Sequence, residues 1–241
     1  MIEKINSFQK LDAFKDKNIF TVRIKSLAYV YGFGFSFASF YRQIINNETA
    51  AVFSVLDSDI TLAVDANCAD FDELAEFFML RGFTSLMCSD DFIIDGEYDH
   101  GQIMECRCKF DLTEFQEAVG ISTFEQLSGL YEFLDYGGSF DAWYADIRRR
   151  LNLSSAKACG IYRSEKIVTS AVLSSIYKSD AVLTGVKTDE KYRRQGFAGE
   201  AVKYLCSCVP GSVYLMREDG KNENFYSEIG FKNIERWRMY R

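Results

Sequence analysis

Apolar residues recur at helical spacing over residues 19–31, where Phe20, Ile24, Leu27 and Tyr31 share one face, so this segment reads as a helix. Three strand-like runs follow. Residues 35–45 are closed by Asn46-Asn47-Glu48, residues 50–56 by Asp57-Ser58-Asp59, and residues 60–64 complete the set. Asn, Asp and Ser clusters are turn chemistry, so these runs predict an antiparallel meander. Asp70 stands where a helix over 71–80 needs its cap, and Phe71, Leu74, Ala75 and Phe78 form the apolar face. Gly82 ends that helix and residues 84–88 return as a strand.

Residues 89–101 carry Asp90, Asp91, Asp95, Glu97 and Asp99 with two glycines and read as a boundary between halves, interrupted by a short strand over 92–94. A strand over 102–110 and helices over 112–119, 123–134 and 140–151 come next. The last helix ends in Arg148-Arg149-Arg150, cations that suit a helix C-terminus. The order of the first half then returns: strands over 156–162, 166–176 and 181–186, an amphipathic helix over 197–208 and a strand over 213–216. In that helix Ala198, Ala201, Val202, Leu205 and Cys206 are the inward positions. Two copies of a three-strands, helix, strand unit are the expectation.

Composition narrows the chemistry. Hydrophobic residues make up 48% of the 241 positions, enough for a sizeable core. The formal charge of −7 disfavours nucleic acid as a partner, because that binding rests on Lys and Arg meeting phosphates. The start Met1-Ile2-Glu3-Lys4 is polar and lacks the apolar stretch expected of a signal peptide, and no window approaches the roughly 18 apolar residues of a membrane span. A cytoplasmic protein with seven reduced cysteines is the expectation. The pairs Cys106/Cys108 and Cys206/Cys208 lie in apolar-periodic segments and read as buried thiols, so no metal is expected. His100 is the single histidine, which excludes His-pair metal sites.

The two halves differ in the link from third strand to helix. Residues 65–70 are short and acidic. The later link runs Val186-Lys187-Thr188-Asp189-Glu190-Lys191-Tyr192-Arg193-Arg194-Gln195-Gly196-Phe197-Ala198. A strand that feeds a glycine loop into a helix N-terminus offers unpaired N–H groups and a favourable dipole to an anion. Gly196 lets the main chain approach a phosphate, and Arg193 and Arg194 add positive charge.

Arg193-Arg194-Gln195-Gly196-Phe197-Ala198, preceded by a strand ending Val186-Lys187-Thr188, resembles motif A of the GNAT superfamily of acetyl-CoA-dependent N-acetyltransferases. The resemblance implies that main-chain groups of Val186 and Thr188 hold the pantetheine arm. It also implies that Arg193, Arg194, Gln195, Gly196, Phe197, Ala198 and Gly199 form the pyrophosphate site of coenzyme A. Residues 222–231, Asn-Glu-Asn-Phe-Tyr-Ser-Glu-Ile-Gly-Phe, resemble the later motif of that superfamily. By that resemblance Tyr226 is the candidate general acid toward the departing thiolate, and Asn222 and Asn224 are candidate cofactor contacts. The Asn-to-Tyr spacing is shorter than the common pattern. No general base stands out among Glu132, Asp135 and Glu165.

The expectation is therefore an α/β (α+β) chain of the GNAT fold, a mixed and mostly antiparallel sheet flanked by helices. Residues 101–241 are expected to form the acetyltransferase domain, and residues 1–100 a degenerate GNAT-like half that lacks the phosphate loop. Acetyl-CoA is the expected co-substrate and an amine the acceptor, transferred by direct attack in a ternary complex. A non-catalytic acyl-CoA-binding or sensing protein, or a structural interaction module, is the alternative.

Overall fold

The computed structural model describes every residue except Leu112 and Glu114. The chain divides into two compact units. The first comprises Met1–Met104, Met216–Lys221 and Asn233–Arg241; the second comprises Glu105–Leu215 and Asn222–Lys232.

In the first unit, β1 (Ile2–Lys4) and a short helix α1 (Phe8–Leu11) precede α2 (Ile19–Tyr31). Asn18 caps α2 by accepting from the Thr21 N–H at 2.9 Å. The meander follows as β2 (Ala38–Ile45), β3 (Glu48–Leu56) and β4 (Asp59–Val64). Asn46, Asn47 and Asp57 all take positive φ in its turns, which Asn and Asp tolerate. Helix α3 (Phe71–Arg81) and β5 (Ser85–Ser89) close the motif. β4 and β5 run parallel, Ile60 opposite Leu86. Six consecutive residues of β3, Ala50 to Val55, are buried, the signature of a strand covered on both faces. Phe53, Leu74, Phe78 and Phe92 anchor the core beneath α3.

Three strands contribute part of their length to the first unit: β6 (Tyr98–Cys106) up to Met104, β11 (Val213–Glu218) from Met216 onward, and β12 (Lys232–Tyr240) from Asn233 onward. β12 pairs antiparallel with β5, Trp237 opposite Ser89. The expected strand over 92–94 does not form. Phe92 is fully buried, and the Ile94 N–H is taken by the Tyr240 hydroxyl at 3.3 Å instead of a ladder partner. The acidic stretch is also shorter than expected, because β6 already begins at Tyr98.

In the second unit, β7 (Val119–Gly120) stands where the sequence predicts the end of a helix over 112–119; Leu112 and Glu114 of that expectation lie outside the described residues. Val119 and Gly120 instead pair with the strand β8 (Lys157–Arg163). Helix α4 (Phe124–Leu134) opens with a capping box between Thr123 and Gln126, and α5 (Phe140–Asn152) is capped by Ser139. The repeat of the meander is β8, β9 (Lys166–Tyr177) and β10 (Asp180–Thr188), followed by α6 (Phe197–Ser207), β11 up to Leu215 and α7 (Glu223–Ile229). As in the first unit, the third and last strands run parallel, here Ala181 opposite Val213 and Val182 opposite Tyr214. The central strand is again buried over six residues, Val168 to Leu173.

Helices cover both faces of this second sheet. Ala158 packs with Leu127 and Leu130 of α4, whereas the thiol of its neighbour Cys159 donates to the Ala201 carbonyl of α6 at 3.4 Å. Adjacent strand residues point to opposite faces, so α4 and α6 lie on opposite sides.

Candidate functional site

The site grows from an irregularity in β10. Thr184 pairs with Val172 and Lys187 with Ser170, so Gly185 and Val186 together oppose Ala171 alone. This is a β-bulge, and Gly185 adopts φ +58° within it. The Ser170 hydroxyl donates to the Gly185 carbonyl at 2.9 Å, and the hydroxyls of Thr169 and Thr188 meet at 3.1 Å. From Thr184 onward the strand is no longer buried, and its pairing with β11 is confined to Ala181 and Val182. β10 therefore leaves β11 beyond Val182 and carries Val186 and Thr188 into partly exposed positions.

The chain then turns through a single 3₁₀ turn, Glu190–Tyr192, capped by the Asp189 carboxylate on the Lys191 N–H at 2.9 Å. Arg193 reaches back to the Thr188 carbonyl at 3.3 Å and pairs with Glu190 at 3.3 Å. Arg194 takes φ +63° and Gln195 bonds the Lys191 carbonyl at 3.4 Å. Gly196 is the N-cap of α6, at φ +84°, and no side chain caps the helix. Its carbonyl accepts from the Glu200 N–H at 3.0 Å, the usual first bond of a helix. A Cβ added at Gly196 or Gly199 would meet nothing within 4 Å. The entrance to α6 is thus uncapped and sterically open at both glycines, while the Arg193 and Arg194 side chains are exposed.

The corresponding entrance in the first unit is filled from within. Asp70 accepts from the Glu73 N–H at 3.0 Å, and Asp72 and Glu73 occupy the first turn of α3. Those carboxylates satisfy the helix end and repel a second anion.

Phe197 and Glu200 brace the start of α6. The Arg163 guanidinium sits 4.7 Å over the Phe197 ring and is paired with Glu117 at 2.8 Å. Glu200 accepts the N–H groups of Glu117 and Ala118 at 2.6 and 3.0 Å. Ala198 is partly buried, whereas Ala201, Val202, Leu205 and Cys206 form the buried stripe.

Helix α7 touches α6 and carries the later motif. Asn222 is its N-cap, at φ +57°, with no side-chain cap bond; its carbonyl receives the Tyr226 N–H at 3.2 Å. Asn224 is exposed in the first turn. Tyr226 lies against Phe225 and Phe231 at 4.9 and 5.7 Å between ring centroids. Burial pushes its phenol up to about 12.

One neighbour of the bulge was not singled out by the sequence. A Cβ at Gly185 would stand 3.0 Å from Val172 Cγ2, 3.3 Å from Leu134 Cδ1 and 3.3 Å from the Tyr136 hydroxyl. Tyr136 is half-exposed in the α4–α5 connection, and its ring leans on Trp143 at 5.7 Å. Tyr131 ties that connection down by donating to the Gly137 and Gly138 carbonyls at 2.8 Å. Glu132, Asp135 and Glu165 are all exposed, Asp135 and Glu165 at positive φ in turns. Among the described residues no group of three or more His, Cys, Asp or Glu is placed to hold a metal ion. No helix among them is long and apolar enough to cross a membrane.

No protein-family model matches the sequence, and no curated protein matches it either. Solved structures do match the architecture. An acetyltransferase of the GNAT family from Colwellia psychrerythraea aligns over 100% of this chain and 98% of its own, with a TM-score of 0.57 at 14% identity. A tandem GNAT protein from the clavulanic acid biosynthesis pathway aligns over 100% and 98%, with a TM-score of 0.61 at 10% identity. A GCN5-related N-acetyltransferase from Sphaerobacter thermophilus aligns over 90% and 84%, with a TM-score of 0.58 at 11% identity. The fold of this chain is the GNAT fold, and its full-length likeness to a tandem GNAT protein fits the internal repeat.

Proposed function

We propose that the protein is an acetyl-CoA-dependent N-acetyltransferase acting on an amine, with its cofactor site in the second half. The observation that carries this reading is the open, uncapped entrance to α6 directly after a bulged strand that parts from its parallel neighbour. N–H groups of residues 194–199 would hold a diphosphate there, because the helix dipole favours negative charge and no carboxylate fills the place as Asp70 does in α3. Val186 and Thr188, on the edge freed from β11, would bond an extended pantetheine arm as a strand bonds its neighbour.

In the transfer step, an acceptor amine in its neutral form attacks the thioester carbonyl directly. A main-chain N–H near Val186 would polarise that carbonyl. Tyr226 keeps its proton at neutral pH, so it would donate a hydrogen bond to the sulfur as the thiolate leaves. Asn222 already has a conformational reason to be asparagine, its left-handed φ, which leaves Asn224 as the better candidate for a contact with the cofactor arm. The first unit, whose equivalent helix entrance is closed by its own carboxylates, would hold no cofactor of its own. Cytoplasmic placement goes with this reading.

Calorimetric titration of acetyl-CoA into the parent and into Gly196→Glu tests it. The parent is expected to bind and the variant to lose binding, through charge repulsion at the helix entrance, with the fold retained. Equal affinity in the two proteins removes the site. Binding in the parent without transfer to any amine of a broad panel replaces the enzyme with an acyl-CoA sensor.

A further inference from the structure

A ridge of aromatic rings leads away from the bulge of the second unit. Tyr131 lies near the end of α4, Tyr136 in the α4–α5 connection, and Phe140 and Trp143 at the start of α5. Ring centroids stand 5.7 Å apart for Tyr136 and Trp143, 5.2 Å for Tyr131 and Trp143, and 5.3 Å for Tyr131 and Phe140. Trp143 packs on the core under α4 and is partly buried, whereas Tyr136 is 47% exposed. Gly137 and Gly138 take φ +69° and +72°, and the Tyr131 hydroxyl donates to both of their carbonyls. The connection therefore holds one shape before any ligand arrives.

Tyr136 faces two ways. Its ring is open to solvent beside Trp143, while its hydroxyl lies against the sheet, 3.3 Å from the Cβ position of Gly185. Among the described residues that hydroxyl has no hydrogen-bond partner. Burial pushes the phenol upward, so at neutral pH the group keeps its proton and has lone pairs to accept with. A polar group turned into the protein without a partner is a place where a ligand gains by supplying one. The charges nearby suit an amine. Glu132 and Asp135, exposed on the same segment, draw an ammonium ion toward the ridge. Lys187, two residues after Gly185, holds the Phe133 carbonyl at 2.6 Å. A cation there favours the neutral form of an arriving amine, which is the form that attacks a thioester.

We propose that the acceptor is a primary amine with an aromatic ring a short chain away from its nitrogen. The ring rests on Tyr136 and Trp143, and the nitrogen donates to the Tyr136 hydroxyl oxygen. This rests on the acetyltransferase reading above and narrows its acceptor to one class. Rings already fixed by their own packing meet a further planar ring at little ordering cost. An N–H donated to Tyr136 leaves the nitrogen lone pair free for the thioester carbonyl, which the proposed cofactor site would bring to the bulge. In the transfer the N–C bond forms, the C–S bond breaks, the nitrogen gives up one proton and the departing sulfur takes one. The products are an N-acetyl arylalkylamine and coenzyme A.

The test is acetyl transfer by the full chain from acetyl-CoA to phenethylamine, cyclohexylethylamine and spermidine, read as kcat/KM. The aromatic amine is expected to exceed its saturated counterpart about five- to tenfold, the worth of a ring pair beyond buried area. In Tyr136→Leu that ratio should fall to about one. In Tyr136→Phe, which keeps the ring, the ratio should persist while kcat/KM drops for both amines. If Tyr136→Leu does not fold, the parent ratio and Tyr136→Phe decide. Equal rates with the two ring-bearing amines in the parent, a preference for spermidine, a ratio that survives Tyr136→Leu, or transfer to none of the three overturns the proposal. Calorimetric binding of acetyl-CoA to the parent separates the two failures. Retained binding leaves the cofactor site standing when the acceptor class falls, and no binding removes the acetyltransferase reading itself.

Discussion

The Ser170 hydroxyl holds the Gly185 carbonyl at 2.9 Å, and that bond fixes the point where β10 stops behaving as a regular strand. The extra residue of the bulge needs a partner for its displaced carbonyl, and a serine on the facing strand supplies one inside the protein. Gly185 answers the second demand of the bulge, a positive φ.

Gly185→Ala is therefore expected to damage both stability and cofactor binding. An alanine in the left-handed region costs about 1–2 kcal/mol. Its Cβ would also press on Val172 at 3.0 Å and on Leu134 and Tyr136 at 3.3 Å. A lower melting temperature together with weaker acetyl-CoA binding by calorimetry is the expected outcome. Unchanged affinity in the folded variant would show that the bulge does not shape the cofactor site.

Tyr136 stands over the bulge on the α4 side of the sheet, opposite the face that carries α6. On the proposed reading, which puts a diphosphate at α6, an acceptor would have the α4 face left to approach from. Tyr136→Ala is then expected to raise KM for amine acceptors about tenfold, worth about 1.4 kcal/mol, with acetyl-CoA affinity unchanged. Steady-state kinetics across an amine panel, beside calorimetry, checks it. A loss confined to acetyl-CoA affinity would put Tyr136 on the cofactor side.

How much of this was legible in the sequence depended on how local the cause is. Helix α2 and helix α6 were readable because their apolar periodicities, and in α6 the entry glycine, lie within a few residues of each other. The link through Arg193, Arg194 and Gly196 was readable for the same reason. Residues 92–94 misled because three consecutive apolar residues between aspartates read as a short strand, but Phe92 is claimed by the core under α3 and the Ile94 N–H by Tyr240, 146 residues away. β12 was missed because Glu235, Arg236 and Arg238 make it look like a charged tail; its order comes from pairing with β5. Tyr136 left no signal, since a tyrosine beside two glycines reads as a loop until Gly185 is brought beneath it.

Tyr226 gives a kinetic expectation with a defined pH dependence. Burial raises its phenol to about 12, so the proton stays on throughout the range in which an exposed tyrosine, half-ionised near pH 10, would lose it. Tyr226→Phe is expected to lower turnover about 100-fold, the lower end of what a positioned proton donor contributes, with little change in acetyl-CoA affinity. The pH profiles of parent and variant should have the same shape up to about pH 10. A falling limb near that pH in the parent alone would show a phenol that titrates normally.

Glu235 supplies an expectation about stability instead of catalysis. It lies partly buried on β12, and desolvation, reinforced by Asp91, Asp16 and Asp90, raises its carboxyl to about 7 from an unperturbed 4.5. Below pH 4.5 the folded and unfolded chains both hold this proton, and the group is neutral in the balance. Between 4.5 and 7 the unfolded chain releases the proton while the folded chain keeps it, so stability falls as pH rises. Above 7 the loss is complete, about 3 kcal/mol at most. Glu235→Gln removes the ionisation and keeps the shape, so it is expected to stabilise the protein by about 2–3 kcal/mol at pH 8 and by almost nothing at pH 4. Urea unfolding of parent and variant at the two pH values checks this, and an equal gain at both would mean that packing, not charge, is what the substitution changes.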